Sequence, residues 1–294
     1  MTIPLVTVIL PTCDRSGLLP RAVASVLAQT ERDWELLLID NNCRERPLAT
    51  LAVSAEWRGD PRVRIVRPDV MRNAAVARNA GIAVARGVWV SYLDDDDAWR
   101  PEKLARQLAL ARRSVAPLVL CGATFHLDGR VRNVQCKTTV WRGDDLLLGA
   151  SWGTPLLFHR RADCGYFDGS LGAGEDAEFA HRVMARAGAT EVLNVPEPLV
   201  DIFPQPGPRV NVNFAPLRSA AARILALRPG FYSRRARRRY VLRTLLAVAK
   251  LRGQPARCTL LVGRLLLESR GADWRVGANA LAVTLGLFPT RWVS

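Results

Sequence analysis

Residues 74–97 read AAVARNAGIAVARGVWVSYLDDDD. Small and apolar residues at helical spacing run to Arg86, Gly87 closes them, and residues 88–93 form an apolar stretch that ends in four carboxylates. The reading is a helix over 74–86, a buried strand over 88–93, and Asp94, Asp95, Asp96 and Asp97 at the strand's carboxyl end.

The same alternation extends outward. Residues 5–10 (LVTVIL) are a near-continuous run rich in β-branched residues, as in a strand covered on both faces, and Pro11 ends it. Leu19, Ala22, Val23, Val26 and Leu27 follow i, i+3, i+4, i+7 spacing and predict a helix opening between residues 16 and 20. Strands are expected at 35–39 and 62–66, and a helix over 101–113 with Pro101 in its first turn. Strands and helices at this spacing predict an α/β fold, half of a doubly wound sheet. Beyond it, residues 118–160 suggest a smaller mixed sheet, residues 175–187 a helix ended by Gly188, and the proline-rich residues 196–208 a separator.

The chain has 294 residues, 49% apolar and 23% charged, which excludes disordered and fibrous classes. Its net charge of +15 suggests a polyanion partner until it is partitioned. Residues 1–208 carry 25 basic and 25 acidic side chains, whereas residues 209–294 carry 17 basic and 2 acidic ones. The expected organisation is a neutral domain over 1–208 and a basic, mainly helical extension over 209–294, which argues against nucleic acid as the partner. Six cysteines without a CxxC pair, and a start without a signal-peptide pattern, read as free thiols of a cytoplasmic protein. No window of 18 uninterrupted apolar residues exists, so no spanning helix is expected. His126, His159 and His181 lack zinc-site spacing.

Ligands of such sheets bind beyond the strands' carboxyl ends. There the sequence places Thr12 and Asp14, then Asp40, then the acidic tetrad. Adjacent carboxylates repel one another unless a cation compensates, and oxygen ligands suit Mg²⁺ or Mn²⁺ bound with a diphosphate. A solvated acidic loop is the plain alternative. Asp40 is placed to accept hydrogen bonds from a base or ribose, or simply forms a turn. Arg78 balances a diphosphate, or makes an ordinary ion pair. Glu175 and Asp176 supply a general base, or complement a helix dipole. Trp99 and Trp152 are placed near the cleft as platforms for a sugar face, with core packing as the alternative.

Taken in order, VTVILPTCDR (6–15), SVLAQTERDWELLLIDN (25–41), ARNAGIAVARGVWVSYLDDDDAW (77–99) with PEKL (101–104), and GEDAEFAHR (174–182) resemble the family 2 glycosyltransferases of GT-A fold. The resemblance covers roughly residues 4–204 and is dense over 4–107. It implies a Rossmann-like GT-A domain that transfers a sugar with inversion from a nucleotide diphosphate donor, most often a UDP-sugar, to a glycan or lipid-linked acceptor. It also implies Mn²⁺ or Mg²⁺ at a DxD-type motif, with Asp96 as metal ligand. Asp94 and Asp95 would then meet the donor, and Asp97 and Trp99 would lie beside the sugar or behind the metal ligand. Pro11, Thr12, Asp14, Asp40 and Arg78 would form the nucleotide pocket. Asp176, with Glu175, would be the catalytic base. Three departures stand out, one of them Asp40-Asn41-Asn42-Cys43 in place of the usual DDGS- or DNGS-like turn. The usual Asn-containing start reads Pro11-Thr12-Cys13-Asp14-Arg15, and the expected histidine after the base helix is replaced by the run 202–207, with Gln205.

Two other functions share parts of this pattern. A sugar-phosphate nucleotidyltransferase needs a glycine-rich phosphate loop after the first strand, which PTCDRSG lacks. A non-catalytic binding scaffold would not require Asp94, Asp96 and Asp176 together.

In the extension, SRRARRR (233–239) leads into an apolar stripe of Val241, Leu245 and Val248. Arg235, Arg239, Arg243 and Lys250 share one side of the same helix. A basic amphipathic helix over 233–251 suits an anionic membrane surface at the inner face of a membrane. Packing on the domain is the other expectation.

Overall fold

The computed structural model describes residues 3–13, 17–41, 57, 59–68, 73–127, 130–134, 138–150, 152–204, 214–251 and 254–269. The chain forms two compact units, one of residues 1–142, 151–169 and 175–207, the other of residues 143–150, 170–174 and 208–294.

The first unit is built on β1 (Val6–Thr12), whose every residue is buried. It pairs in parallel with β2 (Trp34–Asp40) on one side and β4 (Trp89–Tyr92) on the other, and β2 pairs in parallel with β3 (Val63–Val66). Continuous apolar runs are what a strand covered on both faces requires. Helices α1 (Leu19–Leu27) and α2 (Ala74–Val84) supply connections. Pro11 was expected to end β1, yet the strand reaches Thr12. Leu93 N–H donates to the Ile9 carbonyl, which sets the direction of β4, and pairing with β4 stops at Ile9. The missing N–H of Pro11 therefore points where no strand lies and breaks no ladder.

Helix α2 is capped by the Asn73 side chain, which accepts from Val76 N–H. It ends at Val84 rather than Arg86, because Arg86 leaves the helix to bind Glu35 with both its backbone N–H and its guanidinium. Burial opposes the charge of Glu35, but the Arg86 N–H, the Thr7 hydroxyl and the Arg86 guanidinium more than offset it and hold its carboxyl below the usual range. Gly87 then passes so close to β1 that its N–H reaches Thr7 Oγ1 at 2.8 Å.

The expected separate mixed sheet is part of the same sheet, ten-stranded among the described residues, whose main path is β3-β2-β1-β4-β9-β6-β10-β5, with β7 paired to β6 and β8 to β10 off that path. The additional strands are β5 (Ala98–Trp99), β6 (Leu118–Leu127), β7 (Arg130–Val134), β8 (Val140–Arg142), β9 (Phe158–Arg160) and β10 (Glu191–Ile202). Strand β9 is the splice, antiparallel to β4 on one edge and to β6 on the other. Stacking of Phe158 on Trp89 at 5.1 Å fixes the join. Of the proline-rich stretch, residues 196–202 belong to β10, with register shifts on either side of Pro198 that take up residues unable to donate, and the division between the two units falls between Gly207 and Pro208. Helix α3 (Lys103–Ala111) packs Leu104 and Leu108 into the core, and α5 (Glu175–Arg186) follows below.

The second unit contains α4 (Asp144–Leu148), α6 (Phe214–Leu227), α7 (Arg234–Leu251) and α8 (Pro255–Ser269). Its core joins Leu246 and Ala249 of α7 to Cys258, Leu261, Val262 and Leu265 of α8. The predicted stripe is therefore displaced: Val241 is exposed and Leu245 only packs against this core, while the side chain of Val248 lies outside the described residues. The predicted basic side is partly consumed inside the unit. Arg235 donates to the Glu268 carbonyl, and Arg243 to the Leu148 carbonyl. The Lys250 side chain lies outside the described residues. Among the described residues no helix is long and apolar enough to cross a membrane, and Cys13, Cys121, Cys164 and Cys258 are free thiols.

A Cβ at Gly87 would lie 2.4 Å from the Thr7 backbone nitrogen and 2.7 Å from the Val6 carbonyl carbon. Backbone cannot yield as a side chain does, so Gly87→Ala should destabilise the first unit by about 1–3 kcal/mol. Urea unfolding measures this, and an unchanged midpoint would contradict the packing described.

Candidate active site

Parallel pairing in register puts Thr12 opposite Asp40, and the chain leaving β4 carries the acidic tetrad to the same edge of the sheet. Along the tetrad, exposure alternates: Asp94 and Asp96 are partly open, while Asp95 and Asp97 are each 5% exposed. The inward pair has structural partners. Asp95 accepts the Thr12 hydroxyl at 2.9 Å, which ties the loop to the end of β1, and Asp97 accepts the Phe203 backbone N–H at 3.0 Å. The outward pair, spaced as D-x-D, is left facing the open side.

Burial pushes the Asp97 carboxyl up to about 8, with the charges of Asp94 and Asp96 adding to it against the Phe203 N–H and Arg21. The repulsion that Asp94 and Asp96 add to this burial is what an added cation relieves. Among the described residues no three His, Cys, Asp or Glu side chains converge on one point. The donor set fits Mg²⁺ or Mn²⁺, which keep water and substrate oxygens among their ligands and use one or two carboxylates.

Arg78, on α2, is the counter-charge. It is 4% exposed, donates to Asp94 Oδ1 at 2.7 Å, and lies 3.8 Å from Glu175 Oε1. Burial alone would weaken its hold on the proton, but Asp94, Glu175 and Asp176 outweigh it and raise its pKa. Its Nε and Nη1 have no hydrogen-bond partner although both are buried. A buried guanidinium with unused donors is costly unless something else fills them.

Helix α5 begins at Glu175 and Asp176, acids that favour a helix N-terminus. Its place is set by aromatic packing: Phe179 stacks on Phe167 at 4.0 Å, and Asn79 of α2 pins Phe167 by bonding both its N–H and its carbonyl. Asn79 and Arg78 are adjacent, so one turn of α2 locates both the acidic loop and the start of α5. Burial lifts the Asp176 carboxyl to about 7, the neighbouring Glu175 adds to this, and the Ala177 N–H and Arg78 oppose it.

The remaining expectations divide. Asp40 is buried at the end of β2 and forms an ion pair with Arg67 at 2.8 Å. Pro11 is a buried strand residue facing Ile39 of β2. Trp99 was expected beside the cleft and is instead a core residue, 3% exposed, with the Lys103 ammonium 3.9 Å from its ring. Trp152 is likewise buried, beside the His181 ring. Asp14 and Gln205 lie outside the described residues.

The sequence reading missed a stacked clamp behind the acidic loop. The Phe203 ring has the Arg21 guanidinium 3.7 Å from its centroid and is stacked with the His126 ring at 4.4 Å. Arg21 donates to the Asp96 carbonyl, and His126 is 2.7 Å from Asp201, which also pairs with Arg100. The segment after β10 is thereby bound to the tetrad. Its only sequence signal was an aromatic residue in the run where a histidine was sought, and pairing it with Arg21 and His126 needs the topology.

Replacing Arg78 by Met should destabilise the first unit by about 1–3 kcal/mol, since Asp94 loses a charged hydrogen bond and the carboxylates repel. Arg78→Lys should restore part of this, because a point charge cannot serve two acids as a fork does. Denaturant midpoints at pH 7 check both variants, and a wild-type midpoint for Arg78→Met would remove the guanidinium from its assigned place.

Residues 7–171, more than half of the chain, match the sequence profile of Glycosyl transferase family 2. Succinoglycan biosynthesis protein ExoO of Rhizobium meliloti (strain 1021) is 30% identical over 207 residues, 65% of this chain, and the chain spans only 58% of that relative's length. Among solved structures, S. aureus TarS 1-349 in complex with UDP-GlcNAc superposes with a TM-score of 0.63 at 18% identity, over 97% of this chain and 82% of that one. Mannosyltransferase PcManGT from Pyrobaculum calidifontis, in complex with GDP-Man and Mn²⁺, superposes with a TM-score of 0.54 at 16% identity, over 97% of this chain and 74% of that one. The match of residues 7–171 to the family profile, together with a mixed α/β sheet that superposes on these structures, makes this chain a member of Glycosyl transferase family 2 with the GT-A fold.

Proposed function

We propose that the chain is an inverting glycosyltransferase that moves a sugar from a nucleotide diphosphate donor to an acceptor hydroxyl in polysaccharide synthesis. The observation that carries this reading is Arg78, buried between Asp94 of the acidic loop and Glu175 at the start of α5 with two donors unfilled. In this reading it links the edge that would bind the diphosphate to a half-buried carboxylate, Asp176. The relatives point the same way: one serves succinoglycan biosynthesis, and the two structures hold UDP-GlcNAc or GDP-Man. A UDP-sugar is the donor we expect, because Asp40 beside Arg67 offers an acceptor next to a donor, matching an N–H flanked by a carbonyl on the base edge.

In this reading Asp96, with Asp94 beside it, would hold Mn²⁺ or Mg²⁺. A cation held there would supply positive charge toward the departing nucleoside diphosphate. Arg78 meets the same developing charge with its unfilled donors. Asp95 and Asp97, expected beside the donor, instead hold the loop in shape through Thr12 and Phe203. Asp176 takes the proton of the acceptor hydroxyl as that oxygen attacks the anomeric carbon from the face opposite the leaving group, which inverts the centre. A carboxyl lifted to about 7 is matched to this task, being about half ionised at pH 7 and more basic than an ordinary aspartate.

A thermal-shift panel of nucleotide sugars with Mn²⁺ identifies the donor, since a bound ligand stabilises the fold by mass action. With that donor, transfer should rise with pH through about 7 and level off above it, because the base acts only when deprotonated. Asp176→Asn should lower the rate at least about a hundredfold while leaving nucleotide binding intact. Transfer at the wild-type rate by this variant would overturn the assignment of the base.

A further inference from the structure

Helices α6, α7 and α8 of the second unit enclose a surface groove of about 650 Å³. Its floor is apolar: Leu225 of α6, Val241 and Leu242 of α7, and Leu267 of α8. None of these belongs to the core formed by Leu246, Ala249 and Leu265 except Leu242, which packs against its edge, and Leu267 is 82% exposed. An exposed leucine beside an open apolar trough is a cost that a bound apolar group removes.

The rim is cationic. Arg237 and Arg238 precede Val241 and Leu242 by one helical turn, and Arg264 stands one turn before Leu267 and Glu268. The single acid on the rim, Glu268, is paired with Arg238 at 3.5 Å. Among the described residues neither Arg237 nor Arg264 has an ion-pair partner, and both are exposed. Two uncompensated guanidiniums therefore flank an apolar trough of ordinary ligand size. Guanidinium forks select phosphate oxygens, and the trough selects hydrocarbon.

We infer that this groove binds a single-chain phosphate amphiphile, with its phosphate or diphosphate head on Arg237 and Arg264 and its hydrocarbon chain along Val241, Leu242 and Leu267. Charge complementarity at the rim and the apolar floor together specify the occupant, since a free phosphate would leave the trough empty and a neutral chain would leave the arginines unmatched. The groove shares Val241 with the stripe read from sequence but not its arginines, since Arg235 and Arg243 are held by carbonyls of the same unit.

The test is equilibrium binding of farnesyl diphosphate to the full chain in EDTA, so that the acidic loop holds no cation and cannot compete for the diphosphate. Farnesyl diphosphate should bind at least tenfold more tightly than farnesol or inorganic diphosphate. The double variant Arg237→Gln, Arg264→Gln should lose at least tenfold in affinity, and Leu267→Gln should weaken binding separately; all three positions are exposed, so the fold is retained. No binding of farnesyl diphosphate, equal binding of inorganic diphosphate, or unchanged affinity in the double variant overturns the inference. So does displacement of farnesyl diphosphate by phosphatidylglycerol vesicles at matched phosphate, which would assign the groove to a bilayer surface. Self-association abolished by Leu267→Gln would assign it to a second copy. None of these readouts involves sugar transfer, so this inference and the transferase reading fail or stand separately.

Discussion

Burial of β1 on both faces is the constraint from which the site follows. A strand with neighbours on each side cannot shift register without exposing a whole set of apolar side chains, so β2 and β4 are fixed against it. Their carboxyl ends, together with Thr12, then fall along one line, and whatever the sequence places there is held to the precision of the sheet. Gly87 and Thr7 close the opposite end by direct contact, and Glu35 collects Arg86 and Arg64 around it. The acidic tetrad thus rests on a frame braced at both ends.

On that frame the charges are unequal by design of geometry. Asp95 and Asp97 turn inward and find neutral donors, while Asp94 and Asp96 turn outward. Arg78 offsets part of the negative charge, and because it is buried it does so with little screening from solvent. The same guanidinium is shared with Glu175 and acts on Asp176, so the environment of the proposed base depends on the loop that would bind the donor. Occupation of the loop by a cation and a diphosphate would alter that sharing directly. The Arg21, Phe203 and His126 stack adds a second tether, from the far side of the loop to the end of β10.

The periodicity of the first hundred residues was legible because parallel strands covered on both faces read as unbroken apolar runs, although α2 ends at Val84, short of the stop read at Gly87. The acidic tetrad and the Glu175-Asp176 pair were visible as residues, but their sorting into inward and outward members was not, since it depends on Thr12 and on Phe203, a residue over a hundred positions from Asp97. Where the reading failed, a local signal was overridden by tertiary pairing. Pro11, Pro196 and Pro198 sit in strands because their missing N–H groups fall at gaps or register shifts. Residues 118–160 join the main sheet through β9, three residues long and too short to carry a period. Trp99 entered the core because Lys103 covers its face, a pairing across one helical start that composition does not reveal. In α7 two stripes compete, and contact with α8 selected the one through Leu246 and Ala249.

The central claim is that the outward D-x-D pair and Arg78 form a diphosphate site that works through a divalent cation. Calorimetric titration of the wild-type chain with UDP, once in Mn²⁺ and once in EDTA, tests it most directly. The account predicts binding in Mn²⁺ that weakens at least tenfold in the chelator. Equal affinity in both, or no UDP binding in Mn²⁺, would contradict it.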